Sequence, residues 1–315
     1  MRTIDFHAHA LTPAFRQGME DLGIDPLEDD GFPLPAWSAE EHIVFMDEAG
    51  IDYAVLTAPS PHIHNGNDEV AHAAARKVND EMAAVCREHP DRFGFAACIP
   101  LPFVEGAIEE AARALDDLGA VGIKVATNND GIYLGDPAFD PVFEELDRRG
   151  GLVIMHPCRA KESPRNCFTG GVAAIYEYPS DTTRAVLNMV ANKTMSKFPN
   201  IRFVVPHCGS FLPYMLQRFA GVSGILASKR MMEPVDIYEE TSGLWFDIAG
   251  DPEPVALDML RMVVPDDHIV YGSDFPHSPA PVVIPKKRSV EAEQRFADVD
   301  LKRNGETLLG CTGRE

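Results

Sequence analysis

The sequence predicts one domain, spanning residues 1–315, folded as a (β/α)8 barrel. Three observations carry this expectation. Short apolar runs rich in β-branched residues alternate eight times with longer helical stretches, which signals a parallel sheet covered on both faces. Ionisable residues close several of those runs, where the strand ends of such a barrel open onto one catalytic face. No G-x-G-x-x-G follows the first run, and eight units exceed the six usual in an open dinucleotide-binding sheet.

Residues 3–9 form the first strand. An irregular insertion rich in Pro, Gly and Asp follows over 11–37. A helix then starts near Ser38, a good N-cap with Glu41 at capping-box spacing. Residues 51–57 make the second strand, 67–88 a helix and 92–99 the third strand. The unit repeats as helix 104–118 and strand 120–126, then helix 141–149 and strand 152–156. A second insertion precedes helix 181–198 and strand 201–207. Helix 211–229 and strand 244–248 follow, then helix 254–263 and strand 269–274. No Pro/Gly/Ser linker divides the chain, so a single domain is expected.

Composition excludes several classes of function. The 28 basic and 49 acidic residues leave a net charge of −21, and no basic run is longer than Lys286-Lys287-Arg288, so a nucleic acid partner is not expected. The six cysteines, Cys86, Cys98, Cys158, Cys167, Cys208 and Cys311, include no C-x-x-C pair, as suits reduced thiols in cytoplasm. No apolar run approaches the length of a membrane span, and Arg2, Asp5, Arg16 and Glu20 do not fit a signal peptide.

The candidate chemistry starts at His7-Ala8-His9. A strand alternates its side chains, so His7 and His9 face the same way and can grip one metal ion, with Phe6 and Ala8 opposite. Such a pair alone is more often a surface feature. His156, His207 and Asp274, however, each close a later apolar run, and these strand ends converge on one mouth. His62-Ile63-His64 repeats the spacing in loop text and is not expected to be the metal pair, although His64 can line the mouth. Phe275, beside Asp274, is placed there too. Cys208 neighbours His207 on opposite faces of a strand, which favours a buried hydrophobe over a nucleophile. Phe219 and Met231-Met232 read as helix packing or a subunit interface.

The order His7-x-His9, His156, His207, Asp274, with Gly272-Ser273-Asp274-Phe275-Pro276 and the closing stretch 301–310, resembles the amidohydrolase superfamily. Within it the chain is most similar to the aminocarboxymuconate semialdehyde decarboxylase branch, including 6-methylsalicylate and γ-resorcylate decarboxylases. Tyr133-Leu134-Gly135-Asp136-Pro137, Phe139-Asp140-Pro141, Asp181-Thr182-Thr183-Arg184-Ala185 and stretch 198–207 extend the likeness over nearly the whole chain. The resemblance implies that His7, His9, His156 and Asp274 hold one divalent metal, zinc first with manganese as the alternative, and that His207 acts on the substrate. It further implies that Arg218, eleven residues past His207, binds the substrate carboxylate and can come from a neighbouring subunit. Resorcylate decarboxylases carry Glu where Ser210 stands, and many have Glu-x-His in place of His7-x-His9, so that exact substrate is disfavoured.

Three nitrogens and one carboxylate leave coordination positions open, as a catalytic site requires. An ortho-hydroxy acid can chelate there. The expected reaction is non-oxidative decarboxylation of a salicylate-type or related unsaturated acid, with His207 and Asp274 as the proton donors. The alternative is a lactone or amide hydrolase using a metal-bound hydroxide. Lys124, inside strand four, stands where binuclear superfamily members carry a carboxylated lysine, and a second metal there would favour hydrolysis. The expected assembly is a homodimer or larger, with Arg218 shared between subunits.

Overall fold

Residues 1–167 and 171–310 are described by a computed structural model. Cys311 lies outside them. Eight parallel strands pair in chain order: β1 (Ile4–His9), β2 (Tyr53–Thr57), β3 (Phe93–Cys98), β4 (Gly122–Ala126), β5 (Leu152–His156), β6 (Arg202–Val205), β7 (Trp245–Asp247) and β8 (Ile269–Val270). The circle closes through bridges from Asp5 to Tyr271 and from Ala8 to Phe275, with the Phe6 N–H donating to the Tyr271 carbonyl at 3.0 Å. The expected barrel is the observed one.

Inside it, Ile4, Phe6, Val55, Ile154, Val204 and Val270 pack as one cluster contributed by alternate strand positions. Simple alternation fails in β1. Its register against β2 slips between Asp5 and Ala8, so Phe6 joins the interior cluster while Ala8 packs outward in the helix-facing core. A bulge of this kind re-aims side chains beside active sites. Here it sets a buried apolar floor directly beneath His7 and His9.

β8 is shorter than the sequence pattern suggested. Beyond Val270 the chain runs under His7, and a Cβ on Gly272 would stand 2.8 Å from the His7 Cβ. Asp274 then takes a left-handed conformation, φ 61°, which ends the extended run.

The irregular segment after β1 holds a helix that the sequence reading left out, α1 (Pro13–Asp21). Thr12 caps it and Pro13 occupies its first turn. Its Gly18 packs on Ala74 of the long helix after β2, α2 (Asp68–Glu88). The second insertion, after β5, meets the first one: the Ala173 N–H donates to the Asp30 carbonyl at 2.8 Å. Gly31, at φ 85°, leaves no room for a Cβ against the Gly171 carbonyl. The two insertions thus wall the mouth together. Two later helices matter below: α3 (Glu177–Ala191), after the second insertion, and α4 (Leu212–Ser228), after β6.

Candidate active site

The ligating atoms of His7, His9, His156 and Asp274 lie within 4.8 Å of one another at the C-terminal ends of the strands. Among the described residues this is the one such group of three or more. Their ring hydrogens show what the group is built to hold. The His7 Nδ1–H donates to Asp247 Oδ2 at 2.9 Å. The His156 Nδ1–H donates to the Pro157 carbonyl at 2.8 Å. Thr57 gives its own hydroxyl hydrogen to the Ala8 carbonyl, so at 3.0 Å it accepts from His9 Nδ1. With Nδ1 engaged in this way, each ring turns Nε2 inward, bare whenever the ring is neutral.

Those lone pairs converge on a carboxylate. His9 Nε2 is 3.2 Å and His7 Nε2 3.6 Å from Asp274 Oδ1, and His7 Nε2 is buried without a hydrogen-bond partner. Lone pairs aimed at an anion repel unless a cation stands between them. The residues present fit a divalent ion. Burial depresses His9 to about 3 and His156 well below its usual range, so both stay neutral. Burial also works against the Asp274 charge, but the His9, His7 and His207 rings that face it hold its carboxyl below the ordinary range. Burial opposes charge on His7 as well. Asp247 outweighs it and lifts His7 to about 9, the same field that would favour a cation at Nε2.

His207 flanks the cluster from β6 without joining it, its ring centroid 4.8 Å from that of His7. Its backbone N–H donates to Asp247 Oδ1 at 3.0 Å, while its Nδ1 is buried with no partner. Four residues in a row, His207, Cys208, Gly209 and Ser210, have positive φ, of 58°, 51°, 71° and 58°. Strain of this sort persists where surrounding structure enforces it, characteristically at functional sites. Burial holds the His207 ring below its usual range.

A cavity of about 680 Å³ opens over this group, lined by Phe32, Tyr178, His156, His207, Asp274 and His277 among others. That size suits a small aromatic acid. Three sequence expectations sit elsewhere. His64 Nε2 pairs with Asp68 at 2.9 Å and lines a separate cavity. Phe275 stacks face to face on Phe45, centroids 4.1 Å apart, packing a helix onto the barrel instead of lining the mouth. Arg218 is exposed on α4 and does not line its own chain's cavity. Lys124 is buried one strand step below His156, its Nζ 3.5 Å from the Pro59 carbonyl, and joins no metal-ligating group among the described residues.

Sequence reasoning missed Asp247 and His277. Asp247 carried the same signal as the others, an ionisable residue closing an apolar run. His277 follows the strand pattern by several residues, and only the fold brings its ring centroid to 5.3 Å from that of His9.

A parallel eightfold barrel with three histidines and one aspartate on its C-terminal rim defines a class of metal-dependent barrel enzymes. Residues 4–301 match the amidohydrolase family, and the chain belongs to it. The chain is 33% identical over 304 residues to the decarboxylase yanB of Aspergillus niger, covering 92% of this chain and 82% of that one. It is 29% identical to the 6-methylsalicylic acid decarboxylase of Penicillium expansum, covering 93% and 90%. The crystal structure of 5-carboxyvanillate decarboxylase from Novosphingobium aromaticivorans, complexed with manganese and 4-hydroxy-3-methoxy-5-nitrobenzoic acid, superposes with a TM-score of 0.87. It has 22% identity and covers 98% and 96% of the two chains.

Proposed function

We propose that this protein is a metal-dependent carboxy-lyase that decarboxylates a hydroxyaromatic acid without redox chemistry. The observation that carries the reading is a division at the barrel mouth: four candidate ligands gathered within 4.8 Å, and beside them a histidine outside that group. Similarity to decarboxylases over nine-tenths of the chain supports it.

His7, His9, His156 and Asp274 would hold one divalent ion. Zinc suits three imidazoles and a carboxylate; the manganese of the superposed carboxyvanillate enzyme supports the alternative. When bound, the ion would polarise the carboxylate and the adjacent hydroxyl of the acid. The chain supplies the rest. Asp247 fixes His207 through its backbone and His7 through its ring. Asp274 takes the proton of the acid's ring hydroxyl, and Asp274 and His207 pass it to the ring carbon that bears the carboxylate. The carbon–carbon bond then breaks, carbon dioxide leaves, and its bonding pair restores the ring. The Pro- and Phe-lined side of the cavity excludes water from that carbon.

Arg218 fits as the carboxylate clamp of a neighbouring subunit in a homodimer or larger assembly. Its exposed position on α4 supports that arrangement. Anaerobic incubation of metal-loaded protein with salicylate-type acids, reading carbon dioxide release, tests the reading. Ester or amide cleavage without carbon dioxide would replace it with hydrolysis.

A further inference from the structure

The first and last strands meet through a ladder that is interrupted where two of the candidate ligands stand. β1 bridges the final segment from Asp5 to Tyr271 and again from Ala8 to Phe275, three residue steps apart on β1 and four on the other side. A mismatch of one residue is a bulge, and it leaves backbone groups without their regular ladder partners. His7 and Asp274 both lie inside this interval. The sheet alone therefore does not hold them in register with each other.

Asp5 fills the gap. Its Oδ1 accepts the His7 N–H and the Ser273 N–H, each at 3.0 Å, so one oxygen ties a candidate ligand on β1 to the residue before another on the final segment. Asp5 is 0% exposed, where no solvent can replace that acceptor. The Asp274 N–H completes the unit by donating to the His7 carbonyl at 2.7 Å. Across it His7 Nε2 stands 3.6 Å from Asp274 Oδ1. Gly272 packs against the same unit, with no room for a Cβ beside the His7 or Asp247 side chains. A carboxyl oxygen can accept in either protonation state, so the clamp needs no particular charge on Asp5.

Resting on the metal-site reading above, we propose that Asp5 is a positioning residue for the metal centre. It fixes the spacing of His7 and Asp274 across the closure of the barrel, and through that spacing the affinity and geometry of the ion, without touching the ion itself.

Cobalt(II) is the probe, because its visible absorption reports coordination geometry, and chelator competition gives its affinity. Asp5→Asn keeps an oxygen in the clamp and should bind cobalt with the affinity and spectrum of the parent. Asp5→Ala removes the acceptor and should bind about 10- to 100-fold more weakly, with an altered spectrum. A purely structural role would lower the denaturation midpoint of Asp5→Ala and leave the affinity and spectrum unmoved in the folded protein, which overturns the proposal. Equal losses in Asp5→Asn and Asp5→Ala overturn it too. Should Asp5→Ala not fold, hydrogen exchange in the parent decides: by reciprocity the bound ion should strengthen the clamp and slow exchange at the His7 and Ser273 amides, and no slowing there overturns the proposal. Carbon dioxide release is not read, so the outcome does not depend on the reaction assignment. A parent that binds no cobalt removes the metal centre and the role of Asp5 with it, whereas parent-like binding in folded Asp5→Ala removes the role of Asp5 alone.

Discussion

Asp247 faces His7 at 2.9 Å with both side chains sealed from solvent, and its other oxygen takes the His207 backbone N–H at 3.0 Å. One carboxylate thus orients the His7 ring and the His207 backbone together. Outer partners of this kind set the tautomer and basicity of a ligating imidazole, and their loss typically weakens metal binding about 10- to 100-fold. Asp247→Asn keeps the shape and loses the charge. Competition with a chelator should show that loss of affinity, and unchanged affinity would deny Asp247 this role.

His7→Ala and His156→Ala should empty the metal site and abolish turnover together. His207→Ala should keep about one ion per chain by elemental analysis and lose turnover alone, since His207 lies beside the ligand group and not in it. An emptied site in His207→Ala would redraw the boundary between ligand and acid.

The fold was legible because each barrel strand is an apolar run bounded by a helix, a pattern local in sequence. The grouping of His7, His9, His156 and Asp274 was legible for the same reason: each stands where such a run ends. Asp247 ends one too, but a lone aspartate after Trp-Phe looks like any turn residue until β7 is set between β6 and β8. Phe275 was misplaced because its backbone is at the mouth while its ring turns away onto Phe45. The bulge in β1 was invisible because nothing in Phe6-His7 marks which residue breaks the alternation.

Ser210 sits at φ 58° and ψ −120°, backbone that favours glycine, and its hydroxyl is buried without a partner. Ser210→Gly should relieve both and raise stability by about 1 kcal/mol, read as a higher denaturation midpoint. A drop instead would mean that the hydroxyl has a partner in the assembled protein.

Asp30 makes stability depend on pH in an unusual direction for an aspartate. Burial raises it from 3.8 to about 6 in the folded chain, so between these values the folded state holds the proton more tightly than the unfolded one. Its contribution is fully present below pH ~4 and is lost as pH rises through about 6. Asp30→Asn should therefore flatten this part of the stability profile and gain on the order of 2 kcal/mol relative to the parent at neutral pH. Denaturant titrations across that window decide it; parallel profiles would place the Asp30 carboxyl in a better-solvated state.

Arg218 lies in a stripe of large exposed side chains on α4. Tyr214 is 76% exposed, Val222 40% and Ile225 57%, and their spacing from Arg218 puts all four on one helical face. An apolar stripe around a cation is what a second copy of the chain would cover, and it would carry the guanidinium toward the partner's mouth, where a carboxylate suits its planar fork. Arg218→Ala should then raise KM far more than it lowers stability, since the side chain is exposed on its own subunit. Mixing inactive Arg218→Ala with inactive His207→Ala protein should restore partial activity, because a mixed dimer holds one site with both residues intact. Full activity in a proven monomer, or no recovery in a mixture shown to exchange subunits, would return Arg218 to an ordinary surface charge.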